Sequence, residues 1–389
     1  MSKLNELVNK LCPNGVTFRY IKELGEVGTG SSDRKDASSN GIYPFYVRSQ
    51  QVFRSDSFEY DETAIIIPGE GGIGDIFHFV QGKYALHQRA YRIHLTSNSV
   101  NPKYVYYYFK TAFKSFILLK AVSATVTSIR KPMIENFKIP VPPMEIQDEI
   151  VRILDNFTEL TAELTAELTA RNQQYQYYLD SLLENCNGEI KRLSDIGTLT
   201  RGKRFVHADA VEEGGIPCVH YGELYTHYGV FASEAKSRIR ESILKEKKLR
   251  YANKGDVIIV GAGENNEDIG VGVSWEGNYP VAVHDACYTF VTDQNPRFIS
   301  FFLRSSSYHK QIKSYVSEGK ICAISADGIG KAKIRVPSKS EQERIVKALE
   351  SFYLLNNSIQ SGIPAEIKAR TQQYEYYRDK LLTFKELEA

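Results

Sequence analysis

The chain has 389 residues, 42% of them hydrophobic and 25% charged, the make-up of a folded protein rather than a disordered one. At roughly 100–200 residues per domain, two or three domains are expected. Lys and Arg number 49 against 47 Asp and Glu, a net charge of +2, which by itself indicates no polyanionic partner. No apolar run is long enough for a membrane helix. The opening residues Met1–Leu7 lack an apolar signal core, so secretion is not expected. Five scattered cysteines (Cys12, Cys186, Cys218, Cys287, Cys322) form no CxxC pair. That argues against a zinc ribbon, a redox dithiol and a disulfide framework, and fits a reducing cytosol.

Residues 1–144 read as mixed α/β. Short strands are predicted at Tyr43–Val47, Ala64–Ile67, Asp75–Val80 and Ala90–Leu95. Asn101-Pro opens a predicted helix near 101–119, and its cluster Tyr104, Tyr106, Tyr107, Tyr108 and Phe109 suits core packing, with base stacking the alternative. Gly69-Glu-Gly71-Gly-Ile-Gly74 has dinucleotide-loop spacing. Such a loop needs a following helix and an acidic residue about 20 positions on. Here Asp75-Ile-Phe-His-Phe-Val alternates like a strand, and no acid follows until Glu135. A Gly-rich hairpin is predicted instead.

Residues 145–184 contain neither Gly nor Pro after Pro142-Pro143, and their apolar positions recur at the helical period. Glu145, Asp148 and Glu149 make an acidic first turn, which suits a helix start. At 1.5 Å per residue the helix spans roughly 60 Å, a rod or coiled-coil strand. Inside it, Thr161-Ala-Glu-Leu164 repeats as Thr165-Ala-Glu-Leu168. A four-residue repeat rotates its Leu stripe about 40° per unit, which a core seldom tolerates. Either these units adjust the length of the rod, or they arose by slippage in a solvated helix.

Residues 188–340 again read as α/β, with strands at Asp256–Val260, Ile269–Trp275 and Cys287–Val291 and a helix near 295–317. Gly261-Ala-Gly-Glu-Asn-Asn-Glu forms a second turn between strands. Beyond Pro337, two helices are expected, about 340–360 and 364–387, because Ser361-Gly-Ile-Pro364 reads as a stop and a restart.

The chain repeats itself. Lys138-Ile-Pro-Val-Pro-Pro, Gln147, Ile150-Val151, Leu154 and Phe157 recur as Lys333-Ile-Arg-Val-Pro-Ser, Gln342, Ile345-Val346, Leu349 and Phe352. Gln173-Gln-Tyr-Gln-Tyr-Tyr-Leu-Asp180 recurs as Gln372-Gln-Tyr-Glu-Tyr-Tyr-Arg-Asp379. Weaker echoes link Ile21-Lys-Glu-Leu-Gly to Leu193-Ser-Asp-Ile-Gly, and Asn101-Pro-Lys-Tyr to Asn295-Pro-Arg-Phe. Ordered matches along the whole chain mark an internal repeat. Tyr175, Tyr178, Tyr374 and Tyr377 stand at its helix ends, suited either to packing within the chain or to a partner.

Cut at the repeat, the charge separates. Residues 1–144 carry +6 and 188–340 carry +4, against −7 for 145–187 and −1 for 341–389. Basic modules on an acidic frame point to polyanion contact by the modules and protein contact by the frame. In the first module the candidate contacts are Arg34, Lys35, Arg48, Arg54, Lys83, His87, Arg89, Arg130 and Lys131. In the second they are Arg201, Lys203, Arg204, His207, His220, Tyr221, Asn265, Asn266 and Lys320. Arg, Asn and Gln can bond base edges, while Lys and Ser more often hold phosphates. Each of these side chains also suits an ordinary solvated surface. A protein-binding scaffold is the competing reading.

The chain contains no Walker A loop, no GxSxG elbow and no HExxH motif. Arg201-Gly-Lys203-Arg lacks Walker spacing. Val141-Pro-Pro-Met lacks the Asn or Asp that an amino-methyltransferase places before Pro-Pro. No metal site and no enzymatic activity are expected in this chain.

The Lys-Ile-Pro-Val-Pro-Pro…Gln…Ile-Val…Leu-Asp-Asn-Phe run at 138–157, the Thr-Ala-Glu-Leu units and the two Gln-Gln-Tyr-x-Tyr-Tyr-x-Asp runs resemble the specificity (S) subunits of type I restriction-modification systems, and the Thr-Ala-Glu-Leu units one branch of them. The resemblance covers essentially the whole chain. It implies an α/β (α+β) architecture of two globular target recognition domains, 1–144 and 188–340. Long antiparallel spacer helices at 145–187 and 341–389 would separate them. Each domain would read half of a bipartite, asymmetric site in double-stranded DNA. Thr161, Leu164, Thr165 and Leu168 would set the gap. The helices would bind two modification subunits carrying S-adenosylmethionine, and restriction or translocase subunits using ATP and Mg²⁺ would join through the complex. No cofactor would sit on this chain, and the location would be bacterial or archaeal cytoplasm. An orphan specificity protein without partners is a further possibility under the same resemblance.

Overall fold

In the computed structural model the described residues are 2–72, 74–120 and 128–387, the side chains of Ser2, Lys120 and His207 lying outside that description. They form two compact units, Met1–Thr165 with Pro364–Ala389, and Ala166–Ile363. Each unit holds one α/β module and half of each long helix, Met144–Glu184 and Lys339–Leu381. Among the described residues no helix is long and apolar enough to cross a membrane.

After an N-terminal helix, Ser2–Leu11, the first unit's strands are β1 (Thr17–Tyr20), β2 (Gly25–Thr29), β3 (Tyr43–Tyr46), β4 (Phe53–Ser55), β5 (Tyr60–Pro68), β6 (His78–Leu86), β7 (Ala90–Leu95) and β8 (Lys138–Val141). The main sheet has the order β2-β7-β5-β6-β3-β4. Its spine is the β5–β6 hairpin, in register from Tyr60 opposite Tyr84 to Ile66 opposite His78. Ala64–Ile67 is buried without alternation, as expected of a strand covered on both faces. The Gly-rich hairpin is present, with Gly71, Gly72 and Gly74 in the left-handed region. Strand β6 begins at His78 rather than the predicted Asp75. The Gly72 carbonyl accepts the N–H groups of Asp75 and Ile76, so these residues close the turn instead.

The second unit contains β9 (Glu189–Arg192), β10 (Gly197–Arg201), β11 (Ile216–Val219), β12 (Phe231–Ala232), β13 (Ser237–Ile239), β14 (Tyr251–Ala252), β15 (Val257–Val260), β16 (Ala262–Gly263), β17 (Gly272–Trp275), β18 (Val281–Val283), β19 (Cys287–Thr292), β20 (Cys322–Ala323) and β21 (Lys333–Val336). Its sheets are β10-β19-β15-β17-β12 and β13-β11-β18-β14. The long hairpin of the first unit is here cut in two. Gly255, at φ +92°, turns the chain between β14 and β15, and Glu276–Pro280 separates β17 from β18.

The repeat is a set of matching contacts. Antiparallel β1–β8 in one unit is β9–β21 in the other. Gln147 is fully buried; its amide donates to the Ser99 and Pro142 carbonyls and accepts the Asn101 N–H. Gln342, equally buried, donates to the Pro337 carbonyl and Gln294 and accepts the Asn295 N–H. Asn101 and Asn295 in turn cap the helices Pro102–Tyr108 and Pro296–Phe302. Lys103 pairs with Asp155 as Arg297 pairs with Glu350. A buried amide must find all its partners, which is why these positions recur while their surroundings diverge.

Within the second unit the long helices run antiparallel: Asn172 bonds Gln360, Tyr175 meets Tyr353, and Tyr178 stacks on Phe352. In the first unit Phe157 stacks on Tyr377. No residue from 155 to 178 or from 357 to 380 is buried. The break predicted at Ser361–Pro364 does not occur; one helix spans Lys339–Leu381 with Pro364 inside. Proline removes the single N–H that would bond the Gln360 carbonyl, a cost of about 3 kcal/mol. Phe352 and Tyr353 make aromatic contacts before it, and Tyr377 makes one after it.

Candidate nucleic-acid interface

In the first unit, Arg34, Arg48 and His87 line one cleft with Ser49 and Glu70. Arg48 follows β3, His87 follows β6, and Arg34 opens a short 3-10 turn that also holds Lys35. Asp33 caps that turn. Glu59 anchors its approach by accepting the Ser31 N–H and the Ser32 hydroxyl. Arg89 joins the cleft through Glu70, whose Oε2 lies 3.0 Å from Arg48 and 3.1 Å from Arg89. The Ile129 N–H donates to the Gly69 carbonyl at 2.7 Å, so Arg130 and Lys131 start beside the same turn. Lys131 pairs with Glu135. Two candidates lie apart: Arg54 donates to the Ile42 carbonyl, and Lys83 sits over the Phe58 ring.

The second unit gathers its candidates around Phe205 and His284. Phe205 packs edge-on against His220 and His284, and Tyr221 adjoins His284. Arg201 donates to the Asp285 carbonyl, while its own carbonyl accepts from Arg250 and that of Arg204 accepts from Lys247. Lys203 holds its backbone on Val283. Asn266 bonds Glu318 and Asn265 bonds Asp268, which brings the 265–268 turn to the segment carrying Lys320. The side chain of His207 lies outside the described residues.

His284 had escaped the sequence reading, although it is the counterpart of His87. In both, Nδ1 accepts the N–H two residues on, Arg89 at 2.9 Å and Ala286 at 3.1 Å. That fixes the proton on Nε2. Nε2 then faces Asp33 in one unit and the Phe205 carbonyl in the other. Burial lowers the pKa of both imidazoles. Each ring ties the basic loop to the end of its sheet. The available signal was the spacing His87-x-x-x-Tyr91 repeated as His284-x-x-x-Tyr288.

The spacer positions lie on the outside of the helix. Thr161 and Thr165 donate to the Phe157 and Thr161 carbonyls, and Leu164 and Leu168 are half-buried. Tyr175, Tyr178, Tyr374 and Tyr377 are half-buried too and face their own unit. Burial pushes Tyr175 and Tyr374 up to about 12. The exposed tyrosines of the two runs are their neighbours Tyr177 and Tyr376, at 68% and 62%. Among the described residues no three His, Cys, Asp or Glu are grouped to hold a metal.

The family model for the type I restriction modification DNA specificity domain matches residues 13–171 and again 187–369. A putative type I restriction enzyme specificity subunit of Haemophilus influenzae is 27% identical over 387 residues, 95% of this chain and 96% of that one. A type I restriction enzyme specificity subunit of Escherichia coli is 31% identical over 300 residues, 72% of this chain and 70% of that one. The crystal structure of a type I restriction-modification S subunit from M. genitalium shares the fold, with a TM-score of 0.55 at 16% identity over 94% of this chain and 96% of that one. With two matched copies of the domain and a matching pair of modules, this chain belongs to the type I restriction-modification DNA specificity family.

Proposed function

We propose that the two modules read the two halves of a bipartite, asymmetric site in double-stranded DNA, and that the chain directs adenine methylation and restriction by its partners. The observation that carries this is the contrast within the repeat. The buried amides, caps and ion pairs match, while the loops above them differ in much of their charge, from Glu59 under the first loop to Lys247 and Arg250 under the second. One scaffold holding two unlike surfaces suits two unlike half-sites. The contacts fall to Arg34, Arg48, His87 and Arg89 in one module and to Arg201, Lys203, Arg204, His220 and Tyr221 in the other. Two modification subunits dock on the helical frame, where Tyr177 and Tyr376 offer equivalent exposed rings. S-adenosylmethionine, ATP and Mg²⁺ belong to partner subunits, and the complex works in the cytoplasm of a bacterium or archaeon.

The units at Thr161–Leu168 set the gap between half-sites. The unburied stretch 155–178 supports this, because a turn can be added or removed there without rebuilding a core. Four residues are roughly 6 Å of helix, one to two base-pair steps of about 3.4 Å. Deleting Thr165–Leu168 is expected to shorten the gap and leave both half-sites unchanged. Methylome sequencing of the deletion strain checks it; an unchanged gap rejects the adjuster role, and no bipartite site in the parent strain rejects the whole reading.

A further inference from the structure

The two modules differ at one charged position inside the candidate interface. The same crossing of loops occurs in both: Ile129 N–H to the Gly69 carbonyl at 2.7 Å, and Ile324 N–H to the Gly261 carbonyl at 2.8 Å. The residue after each glycine bridges to that second loop, Glu70 to Ser128 and Ala262 to Ala323. A carboxylate therefore stands at this place in the first module and a methyl group in the second.

Glu70 is 42% exposed on its side chain, and a single oxygen, Oε2, accepts from Nη1 of both Arg48 and Arg89. These arginines come from different connections, one after β3 and one between β6 and β7. A guanidinium has five N–H donors, so each keeps four beyond this bond. A carboxylate in a cleft that meets a polyanion lowers affinity for any DNA, because it repels phosphate. Its contribution must then be geometric. Ordering a free arginine on binding costs side-chain entropy, and a shared carboxylate holds two of them before DNA arrives.

We infer that Glu70 is a positioning residue that sets Arg48 and Arg89 side by side so that their free N–H edges read bases of the first half-site. This rests on the proposed DNA-reading role of the first module. The second module, with Ala262 at this place, reads its half-site by other groups.

The test uses the full chain in complex with its modification subunits. Binding is measured by fluorescence anisotropy on three duplexes: the site found by methylome sequencing, the same site with its first half scrambled, and the same with its second half scrambled. For Glu70→Ala, affinity for the intact site is expected to fall about tenfold, one base contact's worth, while affinity for the first-half-scrambled duplex rises about threefold as the repelling charge goes. Glu70→Gln, whose amide oxygen accepts two bonds, should lose less on the intact site. Movement in opposite directions is a result that neither a folding defect nor simple charge removal produces. Equal rises on all duplexes would reduce Glu70 to a screening charge and overturn the inference. Equal falls, or no change, would overturn it as well. If the parent complex fails to discriminate among the duplexes, the DNA-reading role fails first and this inference with it.

Discussion

The two basic loops share one anchor, since Asp36 accepts the Asp33 N–H as Asp209 accepts the Val206 N–H, and are otherwise held by groups of opposite charge. In the first module, the loop carrying Arg34 and Lys35 is held by carboxylates, Glu59 beneath it and Asp33 and Asp36 within it. In the second, the loop carrying Arg201 and Arg204 is held through its carbonyls by Lys247 and Arg250. Both modules also share an imidazole, buried at His87 and partly buried at His284, a buried glutamine and a capped helix. The scaffold thus constrains where a loop leaves the sheet and keeps one carboxylate clamp, while the charge of the remaining anchors changes between modules. Side chains on the solvent side of that anchor are free to diverge, which is what two different targets require.

The equivalence of the scaffolds can be broken most strongly at the base of the long helices. Leu154 and Leu349 are fully buried counterparts. Alanine at either should destabilise its own unit by about 2–5 kcal/mol, whereas Leu164→Ala on the half-buried spacer should cost within about 0.5 kcal/mol. Denaturation followed by hydrogen exchange on peptides of each unit measures all three; a large loss at Leu164 would show a hidden core in the rod. Next come the buried amides. Gln147→Ala strands the Asn101 N–H and two carbonyls, and Gln342→Ala the Asn295 N–H and one carbonyl, each loss worth roughly 1–3 kcal/mol. Losses of unlike size in the two units would mean that the repeat is one of sequence more than of energetics.

The smallest effect expected is on pH. His87 has its pKa lowered mainly by burial and then by Arg48, with Asp33 opposing. His284 is lowered mainly by burial and raised by Asp285, with His220 and Arg204 also lowering it. A group whose folded value lies below its unfolded value, near 6.5, stabilises the fold fully above that pH and loses the contribution as pH falls through the folded value. Protection factors at residues 29–35 and 201–206, taken against the intrinsic exchange rate at each pH, should therefore fall on acidification from about pH 7 to 5. His87→Gln should abolish that dependence in the first loop and His284→Gln in the second. Equal pH dependence in parent and variants would show that neither imidazole holds its loop.

Several levels of this molecule were legible without coordinates. Helical period and the Pro-Pro start located the first long helix to within a residue or two. Gln147 and Gln342 stood out because a buried polar side chain tolerates few replacements, so both copies keep it. The Gly-rich hairpin was readable because glycine at positive φ leaves a local signature. Other features were not. The cut between β14 and β15 and between β17 and β18 depends on a turn at Gly255 that resembles any surface turn. Glu70 carries no sequence signal beyond its place in the Gly-rich hairpin, because Arg48 and Arg89 close on it from distant positions. Pro364 looked like a stop because local preference favours one, and the helix runs on through it.

The period of the helices, the duplication, the separation of charge between modules and frame, and the family can all be read along the chain. Each of these is a local pattern or a comparison of one stretch with another. Only the tertiary structure decided which strands pair across more than a hundred residues, as β1 with β8 and β9 with β21. It alone decided which tyrosines face inward and which basic side chains share a cleft. Those outcomes depend on burial and register between distant segments, and no window of residues along the chain contains that information.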